Sequence, residues 1–252
     1  VKSQLTPCQD LTYVGGRFRT DLGEIFLPPD RIASIQSMVQ LFTAGRYLSA
    51  VLWLRLLGLM ASAISVLPHA RLRMRQIQMC LLSRWRPTGR LSTKLVVPWS
   101  LLPALQWWAS PHNLAQGSPL SPPHHTHVIT TDASGTGWGG QLNGVYSVQG
   151  EWSPRVAREH SNNHEMRAVL LTLQHFACYL QGHTVLVRSD NTTTCAYINK
   201  QGGTRSWALC ALACRLWEWC IARDIIVLAA YIPGMCNTSA DALSRGSFPK
   251  AG

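Results

Sequence analysis

Acidic residues are scarce in this chain, with 12 Asp and Glu against 23 Lys and Arg in 252 residues. The resulting charge of +11 directs expectation toward an anionic partner, nucleic acid first and an acidic membrane surface second. Charged residues are only 14% of the chain and apolar ones 46%, which excludes global disorder. No two of the cysteines, Cys8, Cys80, Cys178, Cys195, Cys210, Cys214, Cys220 and Cys236, form a C-x-x-C pair. A zinc site or disulfide framework is therefore not the reading; reduced core cysteines of an intracellular protein, cytoplasmic or nuclear, are. No signal peptide is expected. The chain starts at Val1 inside what reads as structured sequence, so a segment of a polyprotein is expected. The one long apolar run, Leu48 to Leu67, is interrupted by Arg55, Gly58 and serines and ends at Pro68. It reads as a buried helix, with no membrane span.

The positive charge is uneven. Residues 1–127 carry 13 Lys and Arg against 4 acids, and residues 128–252 carry 10 against 8. In the first half, Tyr13–Phe18 and Leu22–Leu27 read as strands, and Pro28-Pro29-Asp30 stops the second and opens a helix. Ile32, Ile35, Val39 and Phe42 then recur at helical spacing, and a further helix follows Gly45. Arg71–Trp85 reads as an amphipathic basic helix, either a solvated face or a phosphate-contacting one. Pro98–Trp108 adds a short apolar helix whose Trp99, Trp107 and Trp108 are expected to pack. The run 117–127, rich in Pro, Ser and His, reads as a linker, and its His124, His125 and His127 as solvent-facing.

Beyond it the pattern is βββαβααβα, a mixed sheet with helices on its faces. Strands are expected at Val128–Thr131, Gly137–Leu142, Tyr146–Trp152, Thr184–Arg188 and Ile225–Ile232. Helices are expected at Asn162–Leu180, Thr192–Asn199, Arg205–Arg223 and from Ser239. Four of the few acids fall at informative places. Asp132 and Asp190 follow strands, while Glu165 and Asp241 fall in helix first turns. Any one alone reads as a turn or helix-start residue. Together, on this element order, they read as a site for a hard divalent ion, which prefers oxygen ligands.

The pieces Thr131-Asp132-Ala133-Ser134, Asn163-His164-Glu165-Met166-Arg167-Ala168-Val169, Arg188-Ser189-Asp190-Asn191-Thr192-Thr193, Tyr231-Ile232-Pro233-Gly234 and Ala240-Asp241-Ala242-Leu243-Ser244-Arg245 carry a resemblance. Residues 128–246 resemble the ribonuclease H domain of retroelement reverse transcriptases. Upstream, Lys2-Ser3-Gln4-Leu5-Thr6-Pro7, Tyr13-Val14-Gly15-Gly16, Leu27-Pro28-Pro29-Asp30-Arg31 and Leu56-Leu57-Gly58-Leu59-Met60-Ala61-Ser62 look like the end of a polymerase palm over 1–30 and a helical thumb and connection segment over 31–116. The wording, with Ala196-Tyr197-Ile198-Asn199-Lys200-Gln201-Gly202-Gly203, is closest to vertebrate DIRS-type elements. Residues 247–252 read as a tail. The polymerase Asp-Asp motif is absent, so polymerisation by this segment is not expected.

The resemblance implies an RNase H-like five-stranded mixed sheet and cleavage of the RNA strand of RNA/DNA hybrids. It implies Asp132, Glu165, Asp190 and Asp241 as catalytic ligands of two Mg²⁺ ions, with Mn²⁺ as a substitute. Partners would be the hybrid and the rest of a reverse transcriptase polyprotein. Ser134, Gly135, Asn163 and Asn191 are candidate backbone or 2′-hydroxyl contacts, and Arg188, Lys200 and Arg205 candidate phosphate contacts. Asn237 is an auxiliary position. So is Tyr231, which stands where the family usually has a histidine; a tyrosine does not titrate near neutral pH. Ser161 and His164 also depart from the family's usual apolar residues. The rival readings are a nucleic-acid-binding remnant without catalysis and an integrase relative, whose Asp-Asp-Glu order does not match.

Overall fold

The computed structural model describes residues 6–246. The resemblance carried by Lys2 to Leu5 and the tail 247–252 lie outside the described residues. The chain forms two compact units, one ending at Pro122 and one starting at Pro123.

In the first unit, β1 (Asp10–Tyr13) and β2 (Gly16–Arg19) form a hairpin, followed by β3 (Glu24–Phe26). The expected single strand Tyr13–Phe18 is thus two strands. Val14 and Gly15 both take positive φ, 47° and 82°, and turn the chain between them. The helices are α1 (Pro29–Val39), α2 (Ala50–Ala63), α3 (Ala70–Leu82), α4 (Leu102–Ala109) and α5 (Pro111–Leu114). Short strands β4 (Tyr47–Ser49) and β5 (Lys94–Val96) pair with each other, and β6 (Ser118–Pro119) pairs with β3. The run from Leu48 is therefore a strand end plus one buried-faced helix. Among the described residues no helix is long and apolar enough to cross a membrane. Trp53, Leu56, Met60, Ile77, Leu81, Trp108 and Leu114 are fully buried in one apolar cluster. Trp99 contradicts its expected packing role: it starts the turn before α4 and is 73% exposed.

The second unit carries β7 (His127–Ala133), β8 (Gly137–Leu142), β9 (Tyr146–Glu151), α6 (Ser161–His175), α7 (Ala177–Leu180), β10 (Thr184–Ser189), α8 (Thr192–Asn199), α9 (Trp207–Ile221), β11 (Ile226–Tyr231) and α10 (Thr238–Ser244). The sheet order is β11-β10-β7-β8-β9. β10 is parallel to both β7 and β11, and β7-β8-β9 form an antiparallel meander. This is the expected mixed five-stranded sheet with flanking helices. Ile129, Val185 and Val187 are buried on its inner strands, and Met166, Val169 and Leu173 on α6 complete the core.

Two adjacent glycines of β8 explain how closely the helices approach. A Cβ on Gly139 would lie 2.8 Å from the Ala240 carbonyl oxygen of α10. One on Gly140 would collide with Thr172 of α6. Neighbouring residues of a strand face opposite sides, so α6 and α10 press on opposite faces at the same place. Several boundaries differ from expectation. Asp132 lies inside β7 rather than at its end, because β7 pairs with β8 through Ala133. The helix expected over Asn162–Leu180 breaks at Phe176. Among the described residues no disulfide forms, and Cys8, Cys178 and Cys236 are exposed and not core residues.

Candidate metal centre

The parallel pairing of β7 with β10 brings Asp132 and Asp190 to one end of the sheet. α6 supplies Glu165 from the side. Glu165 sits in the second helical turn rather than the first, because α6 begins at Ser161 with His160 as its cap. One carboxylate oxygen from each of Asp132, Glu165 and Asp190 lies within 4.8 Å of the other two. Asp132 and Glu165 are buried, 6% and 7% exposed. Asp241 stands outside this triangle: its Oδ1 accepts from Arg245 Nε at 2.8 Å on the exposed side of α10.

Burial pushes the Glu165 carboxyl up to about 8, with Asp132 and Asp190 adding repulsion. Burial also raises Asp132, opposed by a hydrogen bond from Ser244. Glu165 Oε2 is buried and has no hydrogen-bond partner. A buried, unpartnered carboxylate oxygen beside two further carboxylates is unfavourable as it stands, and a hard cation satisfies all three. The donor set is all oxygen, so the residues fit a divalent ion of the magnesium class.

The residues around Asp132 are tightly tied. Ser244 Oγ donates to Asp132 Oδ2 at 2.7 Å. Asn237 Nδ2 donates to the Thr131 carbonyl at 3.1 Å and lies 3.4 Å from Asp132 Oδ1. Ser134 Oγ donates to the Ser244 carbonyl at 2.7 Å and accepts from the Gly137 amide at 3.0 Å. One end of α10 thus clamps both the acid and the turn after β7. Trp152 Nε1 holds the Ser134 carbonyl at 2.9 Å, and its ring stacks on buried His164, centroids 5.2 Å apart.

With that geometry in place, the likeness to known proteins can be read. No family model matches the chain. It is 28% identical over 141 residues, half its length, to the Enzymatic polyprotein of Carnation etched ring virus, and covers 20% of that protein. It is 29% identical over 142 residues to the Enzymatic polyprotein of Cauliflower mosaic virus (strain D/H), covering 19% of it. The chain spans about a fifth of the length of these curated relatives. Its fold is similar to that of ribonuclease H domains. The N-terminal RNase H domain of rv2228c from Mycobacterium tuberculosis matches 49% of this chain and 94% of its own, with TM-score 0.41 and 15% identity. RNase H1 of Halobacterium salinarum matches 48% of this chain and 97% of its own, with TM-score 0.39 and 18% identity. The foamy viral protease-reverse transcriptase matches 88% of this chain and 38% of its own, with TM-score 0.34 and 13% identity.

The candidate substrate residues divide into two groups. Ser134 and Asn191 have structural partners: Asn191 caps α8, accepting from the Thr194 amide, and donates to Asn162 at 2.8 Å. Asn163 is half-buried on α6. Gly135, Arg188, Lys200 and Arg205 are exposed. Tyr231 is 53% exposed at the end of β11, opposite Ser189, whereas Asn237 is 2% exposed. Sequence reasoning did not single out Ser244, Trp152 or Gly234. A Cβ on Gly234 would lie 3.1 Å from Asp190 Oδ2, so glycine lets that loop approach the acid. Both lay within quoted motifs, Gly234 in Pro233-Gly234 and Ser244 in the run 240–245, but no local pattern ties Ser244 to Asp132.

Proposed function

We propose that the second unit is a ribonuclease H-type nuclease that cuts the RNA strand of RNA/DNA hybrids, within a reverse transcriptase polyprotein of a DIRS-like retroelement. The observation that carries this reading is the convergence of Asp132, Glu165 and Asp190 within 4.8 Å, with Glu165 Oε2 buried and unpartnered. The relation to viral polyproteins named as enzymatic supports it. So does the fold's likeness to a ribonuclease H1 solved in complex with an RNA/DNA hybrid, 23% identical, which concerns the fold alone.

When bound, two Mg²⁺ ions supply an acidified water and charge stabilisation at the leaving oxygen. The chain's own residues do the rest. Asp132 and Asp190 would hold the ions at the scissile phosphate, and Glu165 would bind the second ion and help place the water. Ser244 and Asn237 keep Asp132 in one rotamer, leaving lone pairs on both of its oxygens. Asp241, tied to Arg245, would be the more loosely bound ligand. Exposed Gly135 reads the 2′-hydroxyl through its backbone, and Arg188, Lys200 and Arg205 contact phosphates.

The test is hybrid cleavage by the purified full chain with Mg²⁺. The RNA strand is cut, the DNA strand is not, and Asp132→Asn and Asp190→Asn lose the activity. Either variant cutting as fast as the parent refutes the site. Salt-sensitive hybrid binding without cleavage, even in Mn²⁺, would instead support the binding-remnant reading that Tyr231 and the basic first half suggest.

A further inference from the structure

The histidine-rich strap before β7 has no part in the carboxylate chemistry, yet the fold gives it a partner. β7 and β10 run parallel with His127 opposite Val185. His183, two residues before Val185, points to the same side of the sheet as that residue. The rings of His127 and His183 meet edge to face, centroids 4.7 Å apart. Both Nδ1 atoms face one hydroxyl, Thr126 Oγ1, at 2.9 Å and 3.1 Å. The Thr126 amide donates to the Thr184 carbonyl at 2.9 Å, which pins the strap beside the strand.

We propose that His127 and His183, with Thr126 between them, form a binding site for a first-row transition ion of the zinc, nickel or copper class, distinct from the carboxylate centre. Three arguments carry it. The first is spacing. Both Nδ1 atoms converge on one point, hydrogen-bonded to the Thr126 hydroxyl at 2.9 Å and 3.1 Å, so an ion that takes the place of that shared contact meets two imidazole nitrogens. The second is donor chemistry. Two imidazole nitrogens suit borderline ions, and no Asp or Glu lies within two residues of either histidine in the sequence. The third is access. His183 is exposed, so open coordination positions are met by water. Asp132 is five residues further along β7, roughly 16 Å at about 3.3 Å per residue. The ion clips the entry of β7 to the entry of β10, the two parallel strands on which the carboxylates depend.

The full chain, with its exposed cysteines blocked by iodoacetamide, is titrated calorimetrically with Zn²⁺ and separately with Ni²⁺. With the carboxylates held by excess Mg²⁺, one equivalent binds, and His127→Ala and His183→Ala each weaken it roughly tenfold or more, since losing a ligand costs at least as much as losing a residue that supports one. The Asp132→Asn variant binds the ion as the parent does. Zn²⁺ also slows hydrogen exchange at the first residues of β7 and β10 in the parent and not in the histidine variants. Unchanged affinity in both histidine variants overturns the proposal. So does binding that is lost in Asp132→Asn and kept in the histidine variants, which would place the ion at the carboxylates. These readouts do not involve cleavage, so they stand whether or not the nuclease reading holds.

Discussion

Replacing Glu165 by Gln should stabilise the metal-free second unit while abolishing cleavage. In the metal-free fold the Glu165 carboxyl loses its proton near pH 8, against about 4.5 for an ordinary Glu. Between these values the folded state holds a proton that the unfolded chain has released. Stability therefore falls as pH rises through this window, and above about 8 the fold carries a buried, unpartnered charge. At about 1.4 kcal/mol per pH unit, the full shift is worth at most about 5 kcal/mol, and the step from about pH 5 to about pH 7 about 2.5 kcal/mol. Gln cannot ionise, so the variant should lose most of that slope. A smaller slope of the same sign remains from Asp132, whose carboxyl is also raised by burial. Hydrogen exchange of the β7 and β10 amides reads the second unit by itself. It is measured in EDTA at several pH values, for parent and variant. Saturating Mg²⁺ should flatten the parent's slope. Equal slopes in the two proteins without metal would refute the reasoning, because they would show that Glu165 is not held neutral by its surroundings.

Three further outcomes follow from the same geometry. Ser244→Ala removes the 2.7 Å hydrogen bond to Asp132; it should cost about 1.5–3 kcal/mol, as for a bond to a charged group, and move the acid limb of the cleavage pH profile upward. An unshifted profile would show that Ser244 does not hold that acid. Gly139→Ala should destabilise the second unit by about 1–3 kcal/mol in thermal unfolding, because the new methyl meets the Ala240 and Ser244 backbone of α10. Tyr231→His, at an exposed position beside the site, should leave stability within about 0.5 kcal/mol and raise turnover measured at saturating hybrid; turnover that stays flat would show that a titrating ring is not needed there.

Much of the second unit was legible because its signals are local. Period-two and period-3.6 apolar patterns marked the strands and helices. The scarcity of acids made Asp132, Glu165, Asp190 and Asp241 conspicuous. The sequence also carried the resemblance, since its motifs are short contiguous runs. The first unit was less legible. Tyr13–Phe18 contained a turn that only the positive φ at Val14 and Gly15 reveals. Trp99 looked like a core residue because large apolar side chains usually are, yet it is 73% exposed.

What tertiary structure alone decided is which of these residues meet. Pairing of β7 with β10 set Asp132 beside Asp190, and α6 packed close enough to bury Glu165 with them, whereas Asp241 stayed with Arg245. The same pairing set His183 against His127, across 56 positions of chain. Ser244 reaches Asp132 from more than a hundred residues away. No local pattern encodes such contacts, because a side chain's partners across a sheet depend on strand order and register. The sequence determined the elements and the chemistry they carry; burial and long-range pairing determined which carboxylates share a site and how far burial shifts their protons.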